Sequence, residues 1–298
     1  MFDIIIIGMG ISGITAGIYA KRSNLNVLLL DKSAPGGLLN NIDTISNYPG
    51  FSDIKGIDLA TNLFDQVKNV GIPYKLEGVT SLEKIDNKFV VTTEKDKYES
   101  KNIILATGTR PKFLGLDNEK DLLGRGLSTC AVCDGTFYKG KDVCVVGNGN
   151  SALQESLYLS KIVNKIYLLN RRDSFKGEDY LIDKVKNTSN IEILYNVSIS
   201  SYNEDNGKIE SVILSNNEEI KCSGVFIYIG YKANTDLVNK FNITNEEGRV
   251  IVDDNMETSI KGLFATGDVN NKLPYQLIKA ANDGMLAAMY IDKLGGQE

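Results

Sequence analysis

One signature occurs twice in this chain and constrains its fold more than any other feature: an apolar strand, a glycine-rich turn and a helix. In the first copy, FDIIIIGMGISG, the run Ile4–Ile7 precedes Gly8, Gly10 and Gly13. Such an apolar run is typical of a parallel strand that is buried on both faces. The first glycine allows a tight turn, the second lets the backbone approach a pyrophosphate, and the third allows close helix–strand packing. The pattern predicts a dinucleotide-binding α/β unit.

The strand after this first helix ends in an acidic residue. The segment NVLLLDK places Asp31 at its end. A carboxylate in this position can accept hydrogen bonds from the ribose of an adenosine. The first copy therefore has the complete arrangement expected of a dinucleotide site.

The second copy differs from the first after its second strand. In KDVCVVGNGNSALQES, Gly147 and Gly149 come directly after the first strand, and Ala152 takes the third glycine position. The next strand runs into NRRDSFK and carries Arg171, Arg172 and Lys176 in place of a carboxylate. Arginine binds phosphate in a bidentate manner, so this site favours the 2′-phosphate of NADP. The alternative is that these are solvated surface arginines, with the neighbouring Asp173 weakening a preference for phosphate.

Two signatures of different polarity predict two cofactors, a flavin dinucleotide and a nicotinamide dinucleotide. A chain of 298 residues accommodates about two domains, and 42% hydrophobic residues can build their cores. The net charge of −5 argues against a nucleic-acid surface. The chain has no apolar run as long as a membrane span, so we expect a soluble, cytoplasmic protein with no membrane partner.

The segment STCAVCDGTF contains a C-x-x-C pair, Cys130 and Cys133. The chain has four cysteines and no histidine. A structural zinc site needs four such ligands, and Cys144 and Cys222 are isolated in the sequence, so we predict no metal site. We expect these two cysteines to be buried residues without a functional role. Cys130 and Cys133 are instead predicted to carry electrons.

An ordered set of motifs over essentially the whole chain resembles the low-molecular-weight thioredoxin reductases. These motifs are GMGISG, PGGLL, NYPGF, ILATGTRPK, CAVCDG, GNGNSALQES, NRRDSFK and GLFATGDV. The resemblance implies an α/β fold with two Rossmann-like, three-layer nucleotide-binding domains, the second inserted into the first. We expect an FAD domain at 1–112, an NAD(P)H domain that carries the C-x-x-C pair at 113–240, and the rest of the FAD domain at 241–298.

The resemblance also implies which residues bind the cofactors. For FAD they are Gly8, Gly10, Ile11, Ser12, Gly13, Asp31, Lys32, Gly36, Gly37, Leu38, Asn47, Ala106, Thr107, Gly108, Gly267, Asp268, Tyr275, Gln276 and Leu277. For NADPH they are Gly147, Gly149, Asn150, Ser151, Arg171, Arg172 and Lys176.

The activity that the resemblance implies is reduction of thioredoxin, or of a related small dithiol protein, with electrons from NADPH by way of FAD. In the family, Cys133 faces the flavin, Cys130 attacks thioredoxin, and Asp134 is the acid that moves protons. A carboxylate in this role suits a chain that has no histidine. The family also implies a homodimer.

Several positions depart from the family pattern and leave alternatives open. Asn148 interrupts a run of glycines, Asn170 replaces a histidine and Lys176 an arginine, Tyr275 stands where an arginine is common, and Ala233 replaces a proline. One alternative is a relative that takes electrons from ferredoxin and not from a pyridine nucleotide. Another is the NADH-dependent flavoprotein of a hydroperoxide reductase, against which Arg171 and Arg172 argue. A ferredoxin–NADP reductase-like flavoprotein would lack the C-x-x-C pair.

Overall fold

A computed structural model describes residues 1–295 of the chain, which form two compact units. Unit 1 contains Met1–Arg110 and the chain from Lys232 onward, and unit 2 contains Pro111–Tyr231. Unit 2 is therefore inserted into unit 1. The sequence placed the second boundary at 240, but Val238 is fully buried in the core of unit 1, so residues 232–240 pack with that unit.

The secondary structure alternates as expected of nucleotide-binding folds. The strands are β1 (Phe2–Ile7), β2 (Val27–Asp31), β3 (Tyr74–Leu76), β4 (Val79–Ile85), β5 (Lys88–Thr93), β6 (Lys97–Leu105), β7 (Thr109–Pro111), β8 (Leu127–Ser128), β9 (Asp142–Gly147), β10 (Lys165–Asn170), β11 (Ile191–Tyr195), β12 (Ile199–Asp205), β13 (Lys208–Leu214), β14 (Glu219–Lys221), β15 (Gly224–Tyr228), β16 (Tyr231–Ala233) and β17 (Leu263–Ala265). The helices are α1 (Ile11–Arg22), α2 (Gly56–Val70), α3 (Glu119–Leu122), α4 (Ala131–Asp134), α5 (Asn150–Leu159), α6 (Asp179–Lys186) and α7 (Leu277–Gly295).

The sheet of unit 1 is centred on β1 and β6. Strands β3, β2, β1 and β6 are parallel neighbours in that order. On its other side, β6 pairs antiparallel with β5 through its first residues and parallel with β17 through its last three. Strands β4 and β5 extend the sheet as an antiparallel meander. Residues from the C-terminal part of the chain thus complete a sheet that the N-terminal part begins.

Helix α1 packs against both α2 and α7 in unit 1. The contact with α7 is close: a Cβ added at Gly284 would lie 2.1 Å from the carbonyl oxygen of Ser12. Only glycine fits there, so α7 is held against the first turn of α1. None of the helices within residues 1–295 is long and apolar enough to cross a membrane.

The main sheet of unit 2 has five parallel strands in the order β11, β10, β9, β15 and β8. Because parallel strands end at the same edge of a sheet, the segments that come after these five strands share that edge. They include the second glycine turn after β9, the arginine loop after β10 and the C-x-x-C pair after β8. Strands β12, β13 and β14 form a separate antiparallel meander.

Candidate functional site

The first glycine turn joins β1 to α1 through contacts that exclude side chains. Gly8 has a φ of +112°, and a Cβ there would lie 2.2 Å from the carbonyl oxygen of Ala106. A Cβ at Gly13 would lie 2.0 Å from the carbonyl oxygen of Gly8. At the end of β2, the Asp31 carboxylate accepts a 2.6 Å hydrogen bond from the Met9 backbone N–H. Asp31 is therefore hydrogen-bonded directly to the first glycine turn.

Distant segments that carry predicted FAD residues meet around this turn. The Gly36 N–H donates to the carbonyl of Met9 at 2.7 Å, which places the PGGLL segment beside the turn. A Cβ at Gly267 would lie 3.1 Å from the Cβ of Ser12. The Asn47 amide donates to the Gln276 side chain at 3.2 Å although the two residues are 229 positions apart. The structure thus brings four predicted segments into one cradle.

Two buried hydroxyl groups in this cradle fit a bound dinucleotide. Within the described part of the chain, the Oγ of Ser12 and the Oγ1 of Thr266 are buried and have no hydrogen-bond partner. A buried polar group left without a partner costs about 1–3 kcal/mol. Both hydroxyls lie where Ser12 and Gly267 come close to each other. A Cβ at Gly10 would meet no atom within 4 Å. The residues present therefore fit FAD, whose hydroxyl and phosphate oxygens would satisfy them.

The carboxylate of Asp268 lies just after β17 in the same cradle. Burial raises its pKa above the ordinary value, while the nearby Lys279 and Arg249 cations oppose that rise. Lys279 also binds the fully buried Asp283 at 2.7 Å, and Asp283 accepts the Gly267 N–H at 3.0 Å. This network, which the sequence did not reveal, fixes the turn that carries Asp268.

The remaining predicted FAD residues divide into fixed and exposed positions. Thr107 exchanges hydrogen bonds with Asn234, at 2.7 Å and 2.8 Å, and Gly108 accepts the Asn234 N–H. The Tyr275 ring stacks under Arg249, with 3.7 Å between the guanidinium carbon and the ring centre. Ile11, Leu38 and Leu277 are buried or half-buried. The side chain of Lys32 is exposed, so its assignment to the FAD site stays a prediction.

The second glycine turn, in unit 2, also makes a backbone contact that excludes a side chain. A Cβ at Gly147 would lie 2.4 Å from the carbonyl oxygen of Tyr228 on β15. Gly149 precedes α5, and the backbone N–H of Lys176 donates to the carbonyl of Asn148 at 2.8 Å. The Asn150 side chain accepts from the Glu178 N–H at 2.8 Å and donates to its carboxylate at 3.0 Å. Ser151 is exposed in the first turn of α5.

The buried Asn170 shapes the arginine loop. Its side chain accepts the Arg172 N–H at 3.0 Å and donates to the carbonyl of Ser174 at 3.0 Å. Within residues 1–295, none of the ion pairs includes Arg171, Arg172 or Lys176. The carboxylate of Asp173 accepts a hydrogen bond from Ser174. Both arginines are exposed, and their assignment to the phosphate of NADPH stays a prediction.

Cys130 and Cys133 are joined by a disulfide with an S–S distance of 2.10 Å, as the electron-carrying prediction requires. Cys130 is 9% exposed, whereas Cys133 is exposed. The Cys133 N–H donates to the Cys130 sulfur at 3.2 Å, and the Asp134 N–H donates to the Cys130 carbonyl at 3.1 Å. Which sulfur faces the cofactor and which attacks the substrate stays a prediction.

Two side chains from neighbouring strands, Ser128 and Tyr228, accept hydrogen bonds from the backbone N–H groups at the start of the disulfide segment. The buried Ser128 on β8 accepts the Cys130 N–H at 3.1 Å and lies 2.7 Å from a carboxylate oxygen of Asp134. The Tyr228 hydroxyl accepts the Ala131 N–H at 2.8 Å. Burial, with a smaller effect of Glu155, raises the pKa of Tyr228 well above its ordinary value, so the phenol stays neutral. The sequence analysis missed both residues, because no motif marks them.

The two remaining cysteines are isolated in the sequence but not in space. Both are buried free thiols, as predicted. Hydrogen bonding to Cys222 and burial raise the pKa of Cys144 well above its ordinary value. The two thiols are therefore neighbours inside unit 2. Both lie in its apolar core.

A cradle that fits FAD in unit 1, and a nucleotide turn and a disulfide at one sheet edge in unit 2, define a flavoprotein disulfide oxidoreductase. The chain belongs to the pyridine nucleotide-disulphide oxidoreductase family, whose model matches residues 2–284. Family membership implies FAD and NADPH as the cofactors.

Individual relatives match over nearly their whole length. The chain is 37% identical to a thioredoxin reductase of Bacillus subtilis, over 99% of this chain and 96% of the relative. The solved thioredoxin reductase of Lactococcus lactis is similar with a TM-score of 0.95 and 34% identity, covering 100% of both chains. A ferredoxin-flavin thioredoxin reductase of Clostridium acetobutylicum shares 31% identity with a TM-score of 0.56, covering 100% of this chain and 99% of the other. The first two relatives match the resemblance drawn from the motifs.

Proposed function

We propose that this enzyme is a thioredoxin-disulfide reductase that passes two electrons from NADPH to a disulfide of thioredoxin or a related small dithiol protein. The observation that carries the proposal is the shared carboxyl edge of the parallel sheet in unit 2. The C-x-x-C disulfide lies after β8, the second nucleotide turn lies after β9, and the exposed Arg171 and Arg172 lie after β10.

The chemistry at Cys130 and Cys133 is thiol–disulfide exchange. With the pair in its dithiol form, the Cys130 thiolate attacks the substrate disulfide, and the first substrate sulfur leaves as a thiolate. The Cys133 thiolate then attacks the Cys130 sulfur, which releases the second substrate sulfur and closes the enzyme disulfide again. In total, one NADPH and one proton reduce one substrate disulfide to a dithiol. FAD, when bound, supplies the two-electron carrier between the nucleotide and the enzyme disulfide.

Asp134 is the residue that we assign to proton transfer. Its backbone N–H is bound to the Cys130 carbonyl, and its carboxylate is held by Ser128. The carboxylate therefore keeps a fixed position next to the disulfide. It can protonate a departing thiolate and take the proton back when the nucleophile is needed.

The decisive experiment mixes the FAD-loaded enzyme anaerobically with NADPH, NADH and reduced ferredoxin in turn and monitors the flavin absorbance by stopped flow. We expect fast bleaching with NADPH, and subsequent reduction of thioredoxin measured by insulin turbidity. Cys130→Ser is the matched control, since it should leave the bleaching intact and abolish thioredoxin reduction. Bleaching by NADPH without any reduction of thioredoxin would contradict the proposed substrate.

A second candidate differs only in the electron donor. The Clostridium acetobutylicum neighbour is titled a ferredoxin-flavin thioredoxin reductase, and Asn148, Asn170 and Lys176 depart from the usual nucleotide-site pattern. Against it, Asn170 has a clear local role in shaping the loop that presents Arg171 and Arg172. Bleaching by reduced ferredoxin, with both nucleotides inactive, would establish this second candidate in place of the first.

A homodimer and a cytoplasmic location complete the proposal. Both rest on the family resemblance. Light scattering of the FAD-loaded protein on a sizing column measures the mass directly, and a mass of about twice the 32.7 kDa chain is the expected result. A mass equal to that of one chain would contradict the homodimer.

A further inference from the structure

The redox turn of unit 2, residues 130–134, is anchored by a hydroxyl that takes no part in the exchange chemistry itself. Ser128 is the last residue of β8 and is 1% exposed. Its Oγ lies 3.1 Å from the Cys130 nitrogen, 2.7 Å from the Asp134 carboxylate and, more distantly, 3.3 Å from the Cys130 carbonyl oxygen. One buried side chain therefore touches both the nucleophile's backbone and the proposed proton carrier.

The direction of the hydrogen bonds is set by the donors present. A backbone N–H can only donate, so the Ser128 oxygen accepts from Cys130. The hydroxyl proton then remains for another acceptor, and the Asp134 carboxylate is both nearer and more basic than the Cys130 carbonyl. The Cys130 N–H thus donates to the Ser128 hydroxyl, and the Ser128 hydroxyl donates to the Asp134 carboxylate.

The backbone of the turn cannot by itself fix the side chain of Asp134. The Asp134 N–H to Cys130 carbonyl bond, at 3.1 Å, sets the main chain but leaves the side-chain torsions free. A proton carrier must stay within hydrogen-bond reach of the atoms it serves, and misplacement by about 1 Å can cost about a hundredfold in rate. Ser128 supplies the missing restraint from a strand of the parallel sheet.

We propose that Ser128 is a positioning residue for disulfide reduction, which acts by holding the Asp134 carboxylate in register with Cys130. It touches neither substrate nor cofactor in this role. The proposal deepens the proposed function, because it concerns the same redox turn. It requires only that Cys130 and Cys133 carry out thiol–disulfide exchange, whichever donor and protein substrate the enzyme uses.

The test uses a half-reaction that needs neither nucleotide nor thioredoxin. The FAD-loaded enzyme is reduced with dithiothreitol, desalted anaerobically and mixed with the small aromatic disulfide DTNB. The two thiols reduce one DTNB to two nitrothiobenzoate ions while the Cys130–Cys133 disulfide closes, and release of the second ion reports the closure. Ser128→Ala is expected to slow this release about tenfold to a hundredfold.

Three further variants separate positioning from a general loss of structure. Ser128→Thr keeps the hydroxyl and should restore most of the rate. Ser156→Ala removes another fully buried hydroxyl of unit 2, one that bonds only within its own helix, and should leave the rate unchanged. Combining Ser128→Ala with Asp134→Asn should be no slower than Asp134→Asn alone, because Ser128 acts through the carboxylate that Asp134→Asn has already removed. Flavin content and the melting temperature verify folding in each case.

The outcomes are distinct. A Ser128→Ala enzyme that closes its disulfide as fast as Ser156→Ala overturns the proposal. So does a double variant whose loss is the product of the two single losses, since Ser128 would then act independently of Asp134. Failure of the proposed function, with thioredoxin not reduced, would leave the DTNB half-reaction and its dependence on Ser128 unaffected.

Discussion

The two glycine turns share a backbone pattern but differ in their surroundings. In the first, Ile11 and Ser12 are 6% exposed, and Ile11 packs in an apolar cluster with Leu39. At the equivalent positions of the second turn, Asn150 is half-buried and bonded to Glu178, and Ser151 is exposed. The first turn is thus enclosed by distant segments of unit 1, whereas the second is built mainly from residues 147–178.

The strand after each turn shows the same contrast. The Asp31 carboxylate reaches back to the first glycine turn through the Met9 N–H. Asn170 instead uses its side chain within its own loop and leaves Arg171 and Arg172 exposed. A cradle closed by several segments suits a cofactor that stays bound through many turnovers. An open site with free cations suits a nucleotide that binds and leaves in each cycle.

The largest expected effect comes from adding one methyl group to the enclosed turn. In Gly13→Ala the new Cβ would meet the Gly8 carbonyl oxygen at 2.0 Å, and a backbone atom cannot move aside cheaply. We expect almost complete loss of bound FAD and a destabilisation of about 1–3 kcal/mol or more. The flavin-to-protein absorbance ratio and urea unfolding measure both quantities.

The second turn supplies the matched control for this change, because alanine is native at its third position. Ala152→Gly should keep the FAD content and cost at most about 1 kcal/mol of stability. If Gly13→Ala retained a full complement of FAD, the distinction between an enclosed and an open turn would fail.

The next-largest effect is expected at the second glycine turn, in unit 2. Replacing Arg171 and Arg172 together by alanine should lower kcat/KM for NADPH by about a hundredfold or more, since each charged hydrogen bond contributes about 1.5–3 kcal/mol. The value for NADH should change little, because NADH lacks the 2′-phosphate. Steady-state kinetics with both nucleotides make the measurement, and Arg125→Ala, an exposed arginine of the same unit, is the control. An equal loss for both nucleotides would contradict phosphate recognition.

A smaller effect is expected at Tyr228, which serves two features at once. Its carbonyl lies against Gly147 and its hydroxyl accepts the N–H of the fully buried Ala131. Tyr228→Phe removes only the acceptor, so urea unfolding of the oxidised protein should show a loss of about 1–2 kcal/mol. The exposed Tyr180→Phe should show none. Equal stability of both variants would mean that water or a shifted turn satisfies Ala131.

The smallest expected effect is a pH dependence of stability that arises from Asp268 in the FAD cradle. Burial raises the pKa of Asp268 in the folded protein above its ordinary value of 3.8, so the native state disfavours the ionised form. Below pH 3.8 the carboxyl is protonated in both states and no penalty exists; above the folded pKa the full penalty applies. FAD-free Asp268→Asn should therefore melt slightly above the FAD-free parent at pH 7, with the gap closing as the pH falls through the acidic range. A constant gap across that range would contradict this assignment.

Much of the fold was predictable from the sequence because it depends on local patterns. The apolar strands and the glycine turns each show a pattern that short stretches of chain reveal. The site was less accessible. The meeting of Asn47 with Gln276 joins residues 229 positions apart, and only the family resemblance placed both at the flavin. Ser128 and Tyr228 contact the redox turn from two neighbouring strands, β8 and β15, and neither stands in a motif.

Two details show why composition and spacing were insufficient. Cys144 and Cys222 are 78 positions apart by their numbering, yet the packing of the meander against the sheet of unit 2 makes them neighbours. The second domain boundary depended on where the short helical turn at 236–241 packs, and Val238 enters the core of unit 1. Both outcomes are set by tertiary packing, which local patterns do not encode.

The insertion of one unit into the other also orders events during synthesis of the chain. The ribosome completes all of unit 2 by Tyr231, whereas unit 1 lacks β17 and α7 until the last segment has emerged. Domains generally fold as units while the chain is being made. The redox turn can therefore form before the flavin cradle is closed. In this order, FAD binds at the end of biogenesis. Premature termination of translation would release a chain with a complete redox turn but an incomplete FAD site.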